Sequence, residues 1–594
     1  MRRFFLLVVV ARMLSAQSEP DVRAAVKRAL PGLQRSAASF VAQRGCISCH
    51  HNILSILTFH LAAERGLEID HKVLDAVEEK TFRGIRGADA LDDAIQAATL
   101  NDPTPNDSYL LMAAYAAGIP PDLTTAVYAA RLASWQRDGH WVTSDFRPPH
   151  SSSEFTATAT AVRAIQLYMP AELAAERDAC LQRARQWLVA TRPISTEDAS
   201  FRVLGLVWAS ASASEIDAAR HDLLAFQKAA GGWPELPLYQ PDAYSTGEAL
   251  YALHEAGMPT ASADWRRGLK FLTSTQASDG TWRVHTRMLS PASVSPKYFT
   301  TGFPYRKDEY LSYAGSCWAV MALLVALPEH GSPRQFDASG LFDPSIRTAL
   351  FGSAQQLKSL LDAGLDANYK TPKGTTLLMM AAPNSEKVKL LLARGADAKA
   401  RTPSGYSALS IAAAYRGTAE SLRALLDAGA TVDDPQGVRF RNLPLVFSSM
   451  TGDLENVKLL LQRGADPAAG SQGRTPLAQA VTFGYPDIVQ AVIGAGASAN
   501  MTESSGINLL HWAAIANRPE VIPALYMAGV PVNGQDEFGF TPLMYAATID
   551  FGDTELVKTL LRAGADPKIR NADGRTAPEQ AKYFRHTQIE DAMR

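Results

Sequence analysis

Apolar residues along this chain recur at helical spacing, and the helical blocks themselves repeat. Two kinds of block are visible, and they meet near residue 335. In the first half, three phrases share one form: Leu132-x3-Gln136-x2-Gly139-x-Trp141, Leu223-x3-Gln227…Gly231-Gly232-Trp233 and Leu272-x3-Gln276…Gly280-x-Trp282. Each ends a helical apolar pattern. Each is followed by a helix of small residues: Phe155 to Ile165, Tyr244 to Leu253 and Tyr310 to Leu324. The Gln is suited to bond backbone at a helix end, and the Trp to stack against the loop beneath it. A degenerate copy lies at Arg185-Gln186-Trp187-Leu188. Between the third phrase and its helix, residues 283–309 are rich in aromatics and turn formers. This stretch reads either as a flap or as an ornamented surface loop.

The second half repeats more regularly. Gly-x-Thr-Pro-Leu stands in full at Gly473 to Leu477 and Gly539 to Leu543, with looser copies starting at Gly374, Gly405, Arg441, Gly506 and Gly574. Units close on a Leu-Leu and Gly-Ala-Asp phrase, as at Leu391-Leu392…Gly395-Ala396-Asp397. Thr caps a first helix, Pro sits in its first turn and Gly ends a second helix. With a period near 33, residues 345–594 are identified as ankyrin repeats. That resemblance implies a protein partner, and the variable tips Tyr369, Arg401, Phe440 and Phe538 are the candidate contact residues. The unit near Arg441 carries Leu443 in the Thr slot, so a distorted turn is expected there.

The Gln-Trp phrases resemble those of squalene and hopene cyclases and their protein prenyltransferase relatives. The resemblance covers about residues 50–330 and implies helix hairpins closed into an inner and an outer ring around a cavity. The fold class expected is therefore all-α: an α/α toroid, a linker at 331–344, then the repeat solenoid.

The N-terminus adds a compartment. Met1-Arg2-Arg3, an apolar run from Phe4 to Ala11 and small residues by Ala16 form the parts of a secretory signal over residues 1–17. A helical segment at 18–49 follows. Export to a periplasm or to the outside is the expectation, with no transmembrane span. A net charge of −2 gives no reason to expect nucleic acid as a partner.

Four cysteines in 594 residues do not make a disulfide scaffold. Cys180 and Cys317 read as buried small hydrophobes. Cys46-Ile47-Ser48-Cys49-His50 has the Cys-x-x-Cys-His form of a c-type haem attachment site. Two thiols would hold the porphyrin, and His50 would bind the haem iron. His60, His71 and Met112 are candidates for the opposite axial position. Two other readings stay open: a Cys-x-x-Cys disulfide, and a metal site drawn from Cys46, Cys49, His50 and His51.

The cyclase resemblance also directs attention to acids. The segment nearest the family's Asp-x-Asp-Asp-Thr-Ala is Ser152 to Ala157, where Glu154 is a lone carboxylate and the weak catalytic candidate. Asp107, Glu154 and Glu248 each start a helix, a position that favours acids without any catalysis. Asp89 to Asp93 reads as a solvated helix rather than a magnesium site. Three functions follow: an exported scaffold holding a protein on its ankyrin face, a carrier of covalent haem c, and an enzyme acting on a hydrophobic, isoprenoid-like substrate in the toroid.

Overall fold

The computed structural model describes residues 18–45, 48–97, 102–150, 152–288, 300–329, 344–432, 443–470 and 474–594. The leader at 1–17, Cys46, the linker residues 331–343, Phe440 and the middle of the 283–309 stretch lie outside these residues. Among the described residues the regular structure is all helical, and no helix is long and apolar enough to cross a membrane.

The first half holds α1 (Glu19–Gln43), α2 (Leu54–Glu64), α3 (His71–Arg86), α4 (Ala90–Ile95), α5 (Pro103–Ala116), α6 (Leu123–Ser134), α7 (Glu154–Tyr168), α8 (Ala174–Ala190), α9 (Thr196–Trp208), α10 (Ala213–Ala225), α11 (Ala243–Glu255), α12 (Ala263–Thr275) and α13 (Glu309–Leu324). Helices α2, α5, α7, α9, α11 and α13 pack in that order, and α13 packs back on α2. They form a closed inner ring. Small residues make this possible. A Cβ on Gly247 of α11 would strike the backbone of Trp318 in α13. An outer ring of α1, α3, α4 with α6, α8, α10 and α12 surrounds it.

The three Gln-Trp phrases are the rivets of this ring. Each Trp N–H donates to a carbonyl of the helix before it: Trp141 to Leu132 at 2.7 Å, Trp233 to Leu223 at 2.9 Å, Trp282 to Leu272 at 2.8 Å. Each Gln amide donates twice, once to its own turn and once to the next outer helix. Gln136 reaches the carbonyl of Cys180, Gln227 that of Asp264 and Gln276 that of Ala25. The next outer helix after α12 is thus α1. The helix ahead of the Cys-x-x-Cys-His motif is the piece that closes the ring.

The second half stacks short helix pairs, as the period requires. Thr376, Ser407, Thr475, Asn508, Thr541 and Thr576 cap first helices through their side chains. Leu443 begins its helix, Pro444–Thr451, with no side-chain cap. The array lies across the toroid at the end where the inner helices begin. Trp135 donates its indole N–H to the Ala414 carbonyl at 2.9 Å and Tyr239 donates to Asp550 at 2.5 Å there, while Arg347, near the start of the array, pairs at 2.6 Å with Glu172, beyond the far end of α7.

Candidate functional site

The lumen of the toroid gathers the polar groups that an apolar core would exclude. Ser48 opens the turn Cys49–Ile53 by accepting the His51 N–H on its hydroxyl at 3.0 Å and giving its own N–H to Asn52. This turn carries His50 and His51 inward, both buried. Their Nδ1 atoms are 2.5 Å apart. The His51 ring stacks between Phe40 and Tyr313, at 4.8 and 4.0 Å between centroids. Its Nε2 lies 3.2 Å from the Ser36 hydroxyl, which contacts Thr301, which donates to Glu309 at 2.5 Å.

Across the lumen stands His150, also buried, with its ring centroid 6.4 Å from that of His50. Its Nδ1 is 3.0 Å from the Tyr244 hydroxyl, and Tyr244 donates to Glu197 at 3.0 Å. Burial pushes His50 and His150 down from the usual imidazole range and takes His51 to about 3. All three rings are therefore neutral bases at neutral pH.

Glu197 accepts from Thr156 at 2.6 Å as well as from Tyr244. Next to it is Glu248, fully buried in α11. Glu248 meets no protein N–H or O–H among the described residues; its hydrogen-bond neighbour is the Glu197 carboxyl. Two carboxyls can bond only if one keeps its proton. Burial first, and Glu197 second, raise Glu248 well above the usual range. Burial also raises Glu197, opposed by Thr156 and His150.

A cavity of about 410 Å3 opens at the other end of the ring, where the inner helices finish. Tyr109, Phe201, Trp208, Tyr251, Trp318 and Met321 line it. The indole N–H groups of Trp208 and Trp318 are buried without an acceptor among the described residues. Tyr109 joins the cavity to the polar lumen, its ring 5.9 Å from His150.

The other expected residues are placed as follows. Glu154, at the first turn of α7, sits against the array rather than in the lumen, 3.3 Å from Arg518 and 3.6 Å from His140. Asp107 is buried and paired with Arg131 at 3.0 Å. Asp92 is not solvated: it is buried and accepts from Thr371 of the array at 2.6 Å, because the array covers that helix. His60 bonds Glu78 at 2.6 Å, and His71 is the first residue of outer helix α3. Met112 lines the open cavity. The side chains of Cys46 and Cys49 lie outside the described residues. Among the array tips, Tyr369, Arg401 and Phe538 are half-buried. Arg401 is engaged by its own array, donating to the Gly405 carbonyl and the Thr431 hydroxyl.

His150, Glu197, Tyr244 and Glu309 carried no motif. The available signal was only that each stands at or just before the start of an apolar inner helix.

Comparison with known proteins bears on the second half. The family profile of ankyrin repeats matches three times, at residues 346–436, 434–503 and 479–571. Relatives include the palmitoyltransferase Hip14 of Drosophila melanogaster, 35% identical over 99 residues, which are 16% of this chain and 15% of that protein. The putative palmitoyltransferase ZDHHC13 of Danio rerio is 25% identical over 239 residues, 40% of this chain and 32% of that one. NF-kappa-B inhibitor delta of Mus musculus is 32% identical over 106 residues, 18% and 31% of the two chains. The match thus covers less than a third of each relative's length. Residues 346–571 are an ankyrin-repeat array, the architecture of a protein-binding scaffold.

Proposed function

We propose that this chain is an exported protein-binding scaffold whose toroid carries one covalent haem on Cys46, Cys49 and His50. The observation that supports it most is the seat of His50: a neutral, buried imidazole inside the ring, with Nδ1 held by His51 and a second imidazole 6.4 Å away. The donor set suits the group. Two thiols three residues apart can hold the porphyrin edge, and the imidazole that follows can bind its iron. When bound, the haem supplies one-electron transfer. The chain's residues keep its surroundings dry and set the ligand tautomers. The partner surface lies on the outer helices of the array, because the toroid occupies much of the other face. Tyr526 and Met527 stand exposed there. The test is intact mass and absorbance of the full chain made with haem-attachment machinery. One haem mass and a Soret band are expected, both lost in Cys46→Ala/Cys49→Ala.

A second reading, an enzyme or carrier for an apolar compound, is favoured by the aromatic cavity and by the buried Glu197 and Glu248 carboxyls of the same inner ring. The two indole donors in that cavity suit a ligand with an acceptor oxygen. Extraction of the purified protein tests it. A copurifying apolar compound, absent after Trp318→Ala, supports this reading, and an empty cavity in every preparation removes it.

A further inference from the structure

We propose that the seam between the toroid and the end of the array is a docking groove for an acidic peptide segment of a partner protein. This surface is separate from the outer helices of the array, and it does not depend on the haem. The groove has a volume of about 750 Å3. Its walls are the turn at 235–243, the stretch 282–287, the start of α13 and the residues from Tyr583 to Gln588 that end the array.

The charges in these walls are sorted by depth. Glu235, Asp308 and Asp550 are buried and Asp242 is half-buried. All four acids already serve the fold. Asp308 accepts from Arg283 at 3.0 Å and from the Thr286 N–H at 3.2 Å. Asp550 accepts from Tyr239 at 2.5 Å, and Glu235 pairs with Arg287 at 2.7 Å. Asp242 caps α11 by accepting the Ser245 N–H at 2.9 Å. The basic side chains stand outward. Those of Arg283 and His285 are 52% and 71% exposed. Lys307 and Arg585 are exposed too, and neither has an ion pair among the described residues. A ligand entering the groove therefore meets cations and no open carboxylate, the field that attracts an anion.

The groove also shows an apolar edge. Leu238 and Tyr583 are 65% and 60% exposed, and among the described residues only Met527 is a more exposed large apolar side chain. The Tyr583 ring is already held: the Arg575 guanidinium lies over it at 4.4 Å, and the Phe584 ring meets it edge-on at 5.0 Å. An aromatic ring fixed in advance loses little freedom when a partner covers it. Anionic and apolar groups on one ligand fit both features. Carboxylates would meet Lys307 and Arg585, and an apolar side chain would cover Tyr583. The chain's own residues 289–299 follow close on the lining residue Arg287, but they carry Lys297 and no acid, so their charge has the wrong sign for this groove.

The experiment is fluorescence anisotropy on the full chain with three labelled peptides: Glu-Asp-Leu-Phe-Glu-Asp, its neutral form Gln-Asn-Leu-Phe-Gln-Asn and its basic form Lys-Arg-Leu-Phe-Lys-Arg. The acidic peptide is expected to bind roughly tenfold more tightly than the neutral one, with an affinity that falls as salt rises. Lys307→Glu/Arg585→Glu should erase that preference and keep the wild-type Tm, because both positions are exposed. Lys458→Glu, exposed on the distant helix Leu454–Gln462, should leave the preference intact. Tyr583→Ala should weaken the acidic and neutral peptides alike. Equal binding of all three peptides, an unchanged preference in the double variant, or no binding at about 1 mM peptide overturns the proposal. Displacement of the acidic peptide by a synthetic copy of residues 289–299 would give the groove to the chain's own segment. Tighter binding of polyphosphate than of the peptide would make it a general polyanion site. Either result overturns the proposal as well.

Discussion

Arg518 of the array reaches Glu154 at the first turn of α7 with one guanidinium nitrogen, 3.3 Å away, and the Thr143 carbonyl with another. Its Nε donates to Thr482 within the array. One side chain thus ties the segment that leads into α7, the third inner helix, to the solenoid. Arg137 adds a second tie, stacking over the Tyr485 ring at 4.8 Å and facing Asp487 at 3.5 Å.

Arg518→Ala should loosen the array from the toroid. The side chain is nearly buried while Glu154 is about two-fifths exposed, so water recovers part of the loss. A cost of about 2 kcal/mol is expected. Hydrogen exchange should speed up on both sides of the contact, at Thr143 to Phe155 and Thr482 to Asp487, and leave α10 to α12 unchanged. Uniform exchange throughout would show that the tie is idle.

Gln276→Ala removes two hydrogen bonds, to Ala25 and Gly280, and with them the rivet between α12 and α1. About 2 kcal/mol is expected, measured as a shift in the urea midpoint. Gly280→Ala should be worse, since φ there is +85° and a Cβ would strike the Arg28 carbonyl. A Gly280→Ala chain as stable as wild type would contradict the ring closure described.

Stability should fall as pH rises from about 5 to about 8. Burial lifts Asp102 to about 6 and Asp242 to about 7. Such groups hold protons when folded that they release on unfolding above their usual value near 4. Their stabilisation is whole below that value and is lost as pH climbs through the folded values. Glu248 acts in the same direction. Glu248→Gln, which mimics the protonated acid, should raise Tm at about pH 8 and change it little at about pH 5. Equal effects at both would argue against a protonated Glu248.

Cys180 and Cys317 should resist alkylation in the folded chain. Both are buried free thiols, and burial pushes each up to about 12. Mass spectrometry after iodoacetamide, with and without urea, reads this out. Labelling of either without urea would count against the packing of α8 or α13.

The repeats were legible because they are local. Thr475 caps its own helix, and Gln136, Gly139 and Trp141 work within ten residues of Leu132, so one phrase contains the physics of one turn. The pairing of Glu197 with Glu248 was not, since 51 positions separate them and each alone is an acid near a helix start. Apolar spacing shows which face of a helix is buried, not what covers it. Asp92 and Glu154 therefore looked solvent-facing or lumen-facing until the array was seen to lie over them. His150 follows a Pro-Pro pair with no ligand spacing to His50. Only the ring brings them together.

Closing the ring through α1 has a cost in time. Ala25 and Gln276 are 251 residues apart. Joining chain ends across such a span costs about 5 kcal/mol in loop entropy, which nearer contacts do not bear. A ribosome adding roughly 5–20 residues each second needs on the order of 10–50 s to deliver the partner after α1 has emerged. During that wait α3 and the turn at Cys49–Ile53 can cover part of the apolar face of α1, but the part that packs on α13 has no native surface to cover it. The first helix made is the last one seated, and whatever shields that stripe in the interval decides how much of the chain reaches its native state.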